Sequence, residues 1–399
     1  MDEPRAWVTG STQECYLTPT LSPSLTLRVR KRKDLIKNAQ KRVSIEVQSI
    51  LTFRGEVASH PRGGLYKAAY AKMKAKFVDS RILMLKDLRA HFRGCLLGLA
   101  VGDALGGPLE FMDAKAIEKK HGRVAEMIGG GWLHLKAGDY TDDTQMALRL
   151  AESLLDQNAF APDAIAASFV DWLNSSPPDV GNHTRQVLDK IAAGQDWKGA
   201  TTNVQRVSPQ SAGNGSLMRC APVALWTWDD AQKRIEYSKT QSEITHAHQE
   251  CQWSCALANA FIFHLMSCGV RDVALDRALN ECRDAPGHLR KRVQLASGKM
   301  KSELKPTGYV LDTLDCAIWS FMNAESFEDA VVSAVNLGGD ADTTGAVCGA
   351  FAGAFYGERQ IPARWLDVLQ NRDHIANVAT QIAARHHNAV SDSQGHGKP

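Results

Sequence analysis

No run of about 18 apolar residues occurs in the 399-residue chain, so no segment is expected to cross a membrane as a helix. The start, Met1-Asp2-Glu3-Pro4, is acidic and has none of the apolar stretch of an export signal. The nine cysteines are odd in number and scattered, and none belongs to a C-x-x-C pair. Cys251 and Cys255 stand one helical turn apart, with no second pair to complete a zinc site. These absences predict a soluble, cytoplasmic protein with buried free thiols in a reducing compartment. Nothing in the chain supports readout of nucleic-acid bases, and no membrane partner is expected.

What is present is an ordinary globular composition, 44% apolar and 23% charged, with length enough for one large core or two domains. Net charge is +3 but uneven: residues 1–88 hold 17 Lys+Arg against 8 Asp+Glu, and the remainder hold 30 against 36. A basic arm precedes a mildly acidic body. We divide the chain into an N-terminal extension, 1–88, a helical domain, 89–385, and a tail, 386–399, read as disordered. Residues 1–24 are rich in Ser, Thr and Pro and are expected to be poorly ordered unless a partner holds them. Residues 25–30 and 43–51 then alternate apolar and polar, the strand period. Tyr66, Tyr70, Met73 and Phe77 follow as an apolar stripe on a lysine-rich helix. This small basic α+β unit is either a docking module, for an acidic protein surface or for nucleic acid, or a helix packed on the domain that keeps its lysines in solvent.

From about residue 89 the texture is helical, with two acidic turns. In Gly338-Gly339-Asp340-Ala341-Asp342-Thr343-Thr344, two carboxylates stand two residues apart beside hydroxyls. Val347, Phe351 and Phe355 follow at helical spacing, interleaved with Ala and Gly. Side chains so small let neighbouring helices approach, which predicts a central buried helix carrying the acidic turn at its N-terminal end. Tyr140-Thr141-Asp142-Asp143-Thr144 has the same grammar ahead of Met146, Leu150 and Leu154. One aspartate pair at a helix start is also an ordinary cap. Together Asp142, Asp143, Asp340 and Asp342 carry enough charge to neutralise two Mg²⁺ ions, and Thr141 and Thr343 add neutral oxygens. Magnesium prefers oxygen ligands, and no Cys/His set competes for a softer metal.

Several loops surround these turns. Glu110 follows the Gly106-Gly107-Pro108 break of a small-residue helix, where it is placed to act as a base or to steer a water. Asp103, inside that helix, reads as a cap or a pairing partner. The loop 128–132 ends in Trp132 after three glycines, as a cover for a site or a plain connection. Asp179 follows Pro177-Pro178 just before a helix. Asn214-Gly215-Ser216-Leu217-Met218-Arg219 offers backbone N–H groups to a phosphate, or else a serine-capped helix start. His246 and His248 would face different ways on a helix, so joint metal ligation is not expected there. Gly308-Tyr309 presents an aromatic to a planar ligand or closes a turn.

Five blocks occur in the order and approximate spacing of the ADP-ribosylglycohydrolase family, which this chain resembles over roughly residues 89 to 370. They are residues 94–106 (Gly94 to Gly106), Tyr140 to Thr144, Gly213 to Arg219, Thr245-His246 and Gly338 to Thr343. The resemblance implies an all-α, orthogonal helical domain, here with the small basic α+β extension in front. It also implies a binuclear magnesium centre, two Mg²⁺ with Mn²⁺ as the alternative, on the floor of a cleft. Carried over by position, Thr141, Asp142, Asp143, Asp340, Asp342 and Thr343 resemble the metal ligands. Glu110 matches the family's mobile glutamate, and Asp179 a carboxylate given a catalytic part in arginine-specific members. Asn214, Gly215, Ser216 and Met218 resemble the loop that binds diphosphate and ribose, with His246 touching the ligand. The implied activity is cleavage of the N- or O-glycosidic bond between ADP-ribose and a protein side chain, arginine favoured.

The same resemblance carries a partner. Some family members are immunity proteins against ADP-ribosyltransferase toxins, and in them an N-terminal extension plugs the toxin. A basic arm over residues 1–88 is compatible with that use, so the alternative to an enzyme is a binding protein that neutralises a transferase by occlusion. The acceptor residue and the choice between Glu110 and Asp179 as base stay open at the level of sequence.

Overall fold

In the computed structural model, which describes residues 88–392, two helices meet along a seam made of glycine. Gly94, Gly98, Gly102 and Gly106 recur every fourth residue on one face of helix 88–106, here α1. They face Gly353, Gly349, Gly345 and Ala341 of the helix Ala341–Tyr356, which runs the other way. At each step an added Cβ would overlap a backbone carbonyl of the opposite helix. The absence of side chains is what lets the two backbones touch.

Between these two lie the other elements: α2 (Ala114–His121), α3 (Asp142–Gln157), α4 (Pro162–Asn174), α5 (Asn182–Ala192), α6 (Trp197–Val207), α7 (Ala221–Trp226) and α8 (Ala231–Glu243). They are followed by α9 (Gln249–Cys268), α10 (Arg271–Glu281), α11 (Gly287–Ala296), α12 (Val310–Asn323) and α13 (Phe327–Val335). The glycine-faced helix Ala341–Tyr356 is α14, and α15 (Ala363–Leu366) and α16 (Arg372–Asp392) follow it among the described residues. Among the described residues there is no sheet, only the isolated bridges Asp113 to Gly338, Gly130 to Leu135 and Gly213 to Tyr309. Helix starts follow their sequence signals: Asp113, Asp196, Asp230 and Ser326 each accept a backbone N–H of the first turn.

α14 is buried from Ala341 to Ala354. Its outer faces carry Phe351, whose ring lies 5.1 Å from that of Phe261 on α9 and 6.4 Å from Phe321 on α12. Burying an aromatic of this size stabilises by roughly 1.5–3 kcal/mol, so the helix is fixed on one side by aromatic packing and on the other by the seam. Its N-terminus is therefore delivered to the C-terminal end of α1. There Phe111 N donates to Gly339 O and Gly339 N donates to Met112 O, both at 2.7 Å. Gly338 and Gly339 take left-handed φ of 76° and 64°, which the double turn requires.

The strands read at 25–51, the lysine-rich helix at 66–77 and the rest of the N-terminal extension up to 87 lie outside the described residues, as do 393–399. The final helix runs on to Asp392, past residue 385, where the sequence reading ended the domain. His386 is buried and its Nε2 donates to Leu225 O at 2.8 Å. Among the described residues every cysteine is a free thiol, all of them buried except Cys268. No described helix is long and apolar enough to cross a membrane.

Candidate active site

The ends of α1, α3 and α14 converge on a cavity of about 390 Å³, closed by the loop before α5 and by the turn after α6. Glu110, Asp142, Asp179, Asp340, Asp342 and Thr343 line it, together with Gly213, Asn214, Gly215, Met218 and His246. One oxygen each from Glu110, Asp179 and Asp342 lie within 4.8 Å of one another. Three carboxylates that come from residues 69 to 232 positions apart in the chain thus point at one spot.

Asp103 holds one of the acidic turns in place. It is fully buried on α1, and its Oδ1 accepts the Thr141 N–H and hydroxyl, both at 2.9 Å. Its Oδ2 accepts the Thr144 N–H at 3.0 Å and hydroxyl at 2.6 Å. The carboxylate of one helix therefore caps the first turn of another, and the sequence alternative of cap or pair resolves to a cap. The signal was a lone carboxylate in an apolar helix; its partner was not readable. Burial pushes the Asp103 carboxyl up to about 6, against the pull of its four donors.

Thr141 and Asp143 sit beneath the cavity wall. Thr141 Oγ1 also approaches Asp143 Oδ2 at 3.3 Å, and Thr343 Oγ1 donates to the same oxygen at 3.4 Å. Asp143 Oδ1 and Asp342 Oδ1 are buried with no hydrogen-bond partner. Buried carboxylate oxygens without partners are costly, and an all-oxygen donor set fits a hard divalent cation such as Mg²⁺. Burial first, and neighbouring carboxylates second, hold Asp142, Asp143 and Asp342 well above the usual carboxylate range. Asp179 is raised by burial too, with the Val180 N–H opposing.

Glu110 is pushed up to about 7, chiefly by burial, with Asp179 and Asp340 adding repulsion and Trp132 opposing. Trp132 Nε1 donates to Glu110 Oε2 at 2.6 Å. The loop is therefore attached to the site: Gly129, Gly130 and Gly131 all take positive φ, and Trp132 projects 48% exposed against the Phe111 ring, itself 72% exposed. Sequence flagged Trp132 as the end of a flexible loop but did not connect it with Glu110. Phe111 and His183, also on the wall, were not singled out.

Beside the second acidic turn Asn214 Nδ2 donates to Asp340 Oδ2 at 2.8 Å and to Thr313 Oγ1 at 2.9 Å, so the amide braces that turn. A Cβ on Gly215 would come to 2.9 Å from His246 Cε1, which is why glycine stands beside that ring. Ser216 points away: its hydroxyl is buried and bonds Ser242 Oγ at 2.8 Å. His246 lies in the loop before α9, whereas His248 caps α9 by accepting Glu250 N at 3.3 Å. Gly308-Tyr309 closes a turn: Gly308 O accepts Asn214 N at 3.0 Å, and Tyr309 Oη donates to Glu250 Oε2 at 2.7 Å. A neighbouring cavity of about 640 Å³ shares the loop Ser175–Pro178, but the carboxylate convergence is not in it.

Residues 84–391 match the family model described as ADP-ribosylglycohydrolase. The chain is 36% identical over 303 residues to the ADP-ribosylarginine hydrolase Tri1 of Serratia proteamaculans (strain 568), covering 73% of this chain and 78% of that protein. It is also 36% identical over 279 residues to the ADP-ribosyl-[dinitrogen reductase] glycohydrolase of Rhodospirillum rubrum, covering 69% and 89%. A solved structure titled "ADP-ribosylglycohydrolase-related protein complex" superposes with a TM-score of 0.64 at 34% identity, covering 75% of this chain and 99% of that one.

Proposed function

This chain belongs to the ADP-ribosylglycohydrolase family and is a hydrolase of glycosyl bonds; from that premise we propose that it releases ADP-ribose from arginine side chains of modified proteins, with Mg²⁺ as its cation. The observation that carries the reading is the meeting of Glu110, Asp179 and Asp342 above carboxylate oxygens that have no protein partner. Thr141, Asp142, Asp143, Asp340, Asp342 and Thr343 would hold two cations, with Mn²⁺ able to substitute. Bound there, the cations supply charge neutralisation and polarisation of the ligand's oxygens.

The side chains do the rest. Water attacks C1 of the ribose linked to the acceptor; the new O–C1 bond forms as the C1–N bond to the guanidine breaks. Positive charge develops at C1, as in glycoside hydrolysis generally, and the facing carboxylates stabilise it. Asp179 takes the proton from water and passes it on to the departing nitrogen, so the guanidine leaves as guanidinium and Asp179 is again a carboxylate. Glu110, held by Trp132 and poised near neutrality, steers the water; with a serine acceptor it becomes the base. Asn214, Gly215, Met218 and His246 receive the ADP portion. Ser216 supports that wall from behind.

The acceptor is supported by identity to the relative named for ADP-ribosylarginine. For residues 1–88 we assign a separate docking arm for an ADP-ribosyltransferase, in an immunity role; its basic composition suits a cleft that binds an anionic dinucleotide. The test is release of ADP-ribose from arginine- and serine-modified protein, with Mg²⁺ or EDTA, for the intact chain and Asp342→Ala. Mg²⁺-dependent release from the arginine conjugate, lost in Asp342→Ala, is the expected result. No release from either conjugate by folded protein overturns the reading. Loss of transferase inhibition on deleting residues 1–83, with hydrolysis retained, would mark the arm as a second function.

A further inference from the structure

Arg219 ends the glycine turn of the site and is fully buried, yet among the described residues its guanidinium hydrogen-bonds to no carboxylate. Nε donates to Gln241 Oε1 at 3.2 Å, and Nη1 to Gly215 O at 3.0 Å. Nη2 donates to Gln241 O at 3.0 Å and to Thr245 Oγ1 at 2.8 Å. The Phe169 ring packs against the group with its centroid 4.5 Å away. The fork thus ties the turn at Gly215 to the end of α8 and to the residue before His246.

Counting protons along this path fixes a tautomer. A guanidinium has donors and no acceptor, so Thr245 Oγ1 must accept from Arg219. The hydroxyl proton is then free for the other polar atom it touches, His246 Nδ1 at 2.8 Å. If Nδ1 carried the proton instead, the Thr245 hydroxyl, fully buried, would have no acceptor among the described residues. His246 Nδ1 is therefore an acceptor, and the proton of the neutral ring sits on Nε2. That atom makes no hydrogen bond among the described residues and lies against Gly213 and Gly215 on the cavity wall. Protonation of the second nitrogen is opposed by burial and by His183 and Arg219 nearby. The His183 ring is fixed in the same way: Nε2 donates to Thr245 O at 2.9 Å and Nδ1 accepts Ser211 Oγ at 3.1 Å. It stands 4.7 Å from His246.

We infer that Arg219, acting through the Thr245 hydroxyl, locks His246 as the Nε2–H tautomer, making it a permanent hydrogen-bond donor to an anionic oxygen of a diphosphate-bearing ligand. The ligand class rests on the hydrolase reading above; the tautomer does not. His246 Nε2 lies on the cavity lining beside Gly213 and Gly215, and the buried guanidinium behind it adds a positive potential that favours the anionic end of a ligand there. Arg219 and Thr245 are positioning residues, and His246 is the group that touches the ligand.

The test uses the full chain labelled with ¹⁵N-histidine and long-range ¹H–¹⁵N correlation at neutral pH, together with calorimetric binding of ADP-ribose in Mg²⁺. The expected spectrum gives His246 a protonated Nε2 and a bare Nδ1. Thr245→Val should alter the Nδ1 shift and weaken ADP-ribose binding by about tenfold, while Thr245→Ser keeps both. A protonated Nδ1 in the wild type, or a Thr245→Val protein with wild-type shifts and affinity, overturns the lock. If ADP-ribose fails to bind the wild type, the ligand assignment falls with the hydrolase reading, and the nitrogen shifts alone decide the tautomer.

Discussion

Replacing Gly349 with alanine puts a methyl group where α1 and α14 leave no room for one. Its Cβ would overlap the carbonyl oxygen of Gly98 and stand 2.7 Å from that residue's carbonyl carbon. Carbon atoms rest about 3.5–4.0 Å apart, so the helices must separate by about 1 Å. The atoms in the way are backbone, and no rotamer change clears them. Overpacking a core typically costs about 1–3 kcal/mol, and this site belongs at the upper end because the displacement is shared by the whole seam and by Phe351. The preference of a helix interior for alanine over glycine returns about 1 kcal/mol. The net expectation is a loss of about 2 kcal/mol, read as a lower urea midpoint with unchanged slope. Gly287→Ala, at the start of α11, is the control: a Cβ there meets nothing within 4 Å. It should stabilise by about 0.4–1 kcal/mol through the unfolded chain. The seam also sets the distance from Asp342 to Glu110, so hydrolysis should fall in Gly349→Ala and hold in Gly287→Ala. A Gly349→Ala protein with a midpoint at or above the wild type refutes the close-packed seam.

Asp103→Asn leaves one acceptor oxygen for four donors and turns an NH₂ toward the other pair, stranding a buried N–H of the Thr141 to Thr144 turn. That costs about 1–3 kcal/mol, less the relief of one like charge, and a melting temperature equal to wild type would refute the cap. Without a cation, Glu110 is shifted from 4.5 to about 7 and Asp103 from 3.8 to about 6. Raised carboxyl pKa values mean that the folded state binds the extra protons, so this stability is complete below the unfolded values and is lost as pH rises through about 6 and then about 7. Melting in EDTA should therefore drop from pH 4.5 to pH 7, and Mg²⁺ should remove the drop; a flat EDTA profile contradicts it. Trp132→Phe deletes the donor that opposes the rise at Glu110, so the acidic limb of the pH–rate profile should move to higher pH. An unmoved limb would detach Glu110 from the rate.

The helical class was legible because apolar residues recur at helical spacing in nearly every segment after residue 89, and the acidic turns because hydroxyls and carboxylates at a helix start read the same way for a cap and for a cation. Pairings were not legible. The glycines of α1 and α14 were visible as small residues on two helices, but nothing local matches Gly98 with Gly349; the crossing of the helices sets that register. Trp132 and Glu110 are 22 positions apart on two turns that meet in space. The reading of disorder from residue 386 rested on local composition, which does not reveal that His386 finds Leu225 O, 161 positions away. Ser216 shared a motif with Gly215 and Met218, yet its hydroxyl faces α8, where it bonds Ser242 Oγ, a partner 26 positions away that no local pattern reveals.

The charge balance around the cavity explains why the acidic turns are braced as they are. Among the described residues, Glu110, Asp142, Asp143, Asp179, Asp340 and Asp342 form no ion pair with Lys, Arg or His. Their supports are neutral donors instead, the Trp132 indole, the Asn214 amide and the Thr343 hydroxyl, while Arg219 is turned toward backbone and side-chain carbonyls. An ammonium or guanidinium inside the cluster would stabilise the empty protein and compete with a divalent cation for the same oxygens. Leaving the carboxylates without cationic partners reverses that: the burial, and after it the mutual repulsion, that raise Glu110, Asp142, Asp143, Asp179 and Asp342 are offset when a cation binds. Under the proposed function, the free energy of cation binding is in part free energy of folding for the ends of α3 and α14.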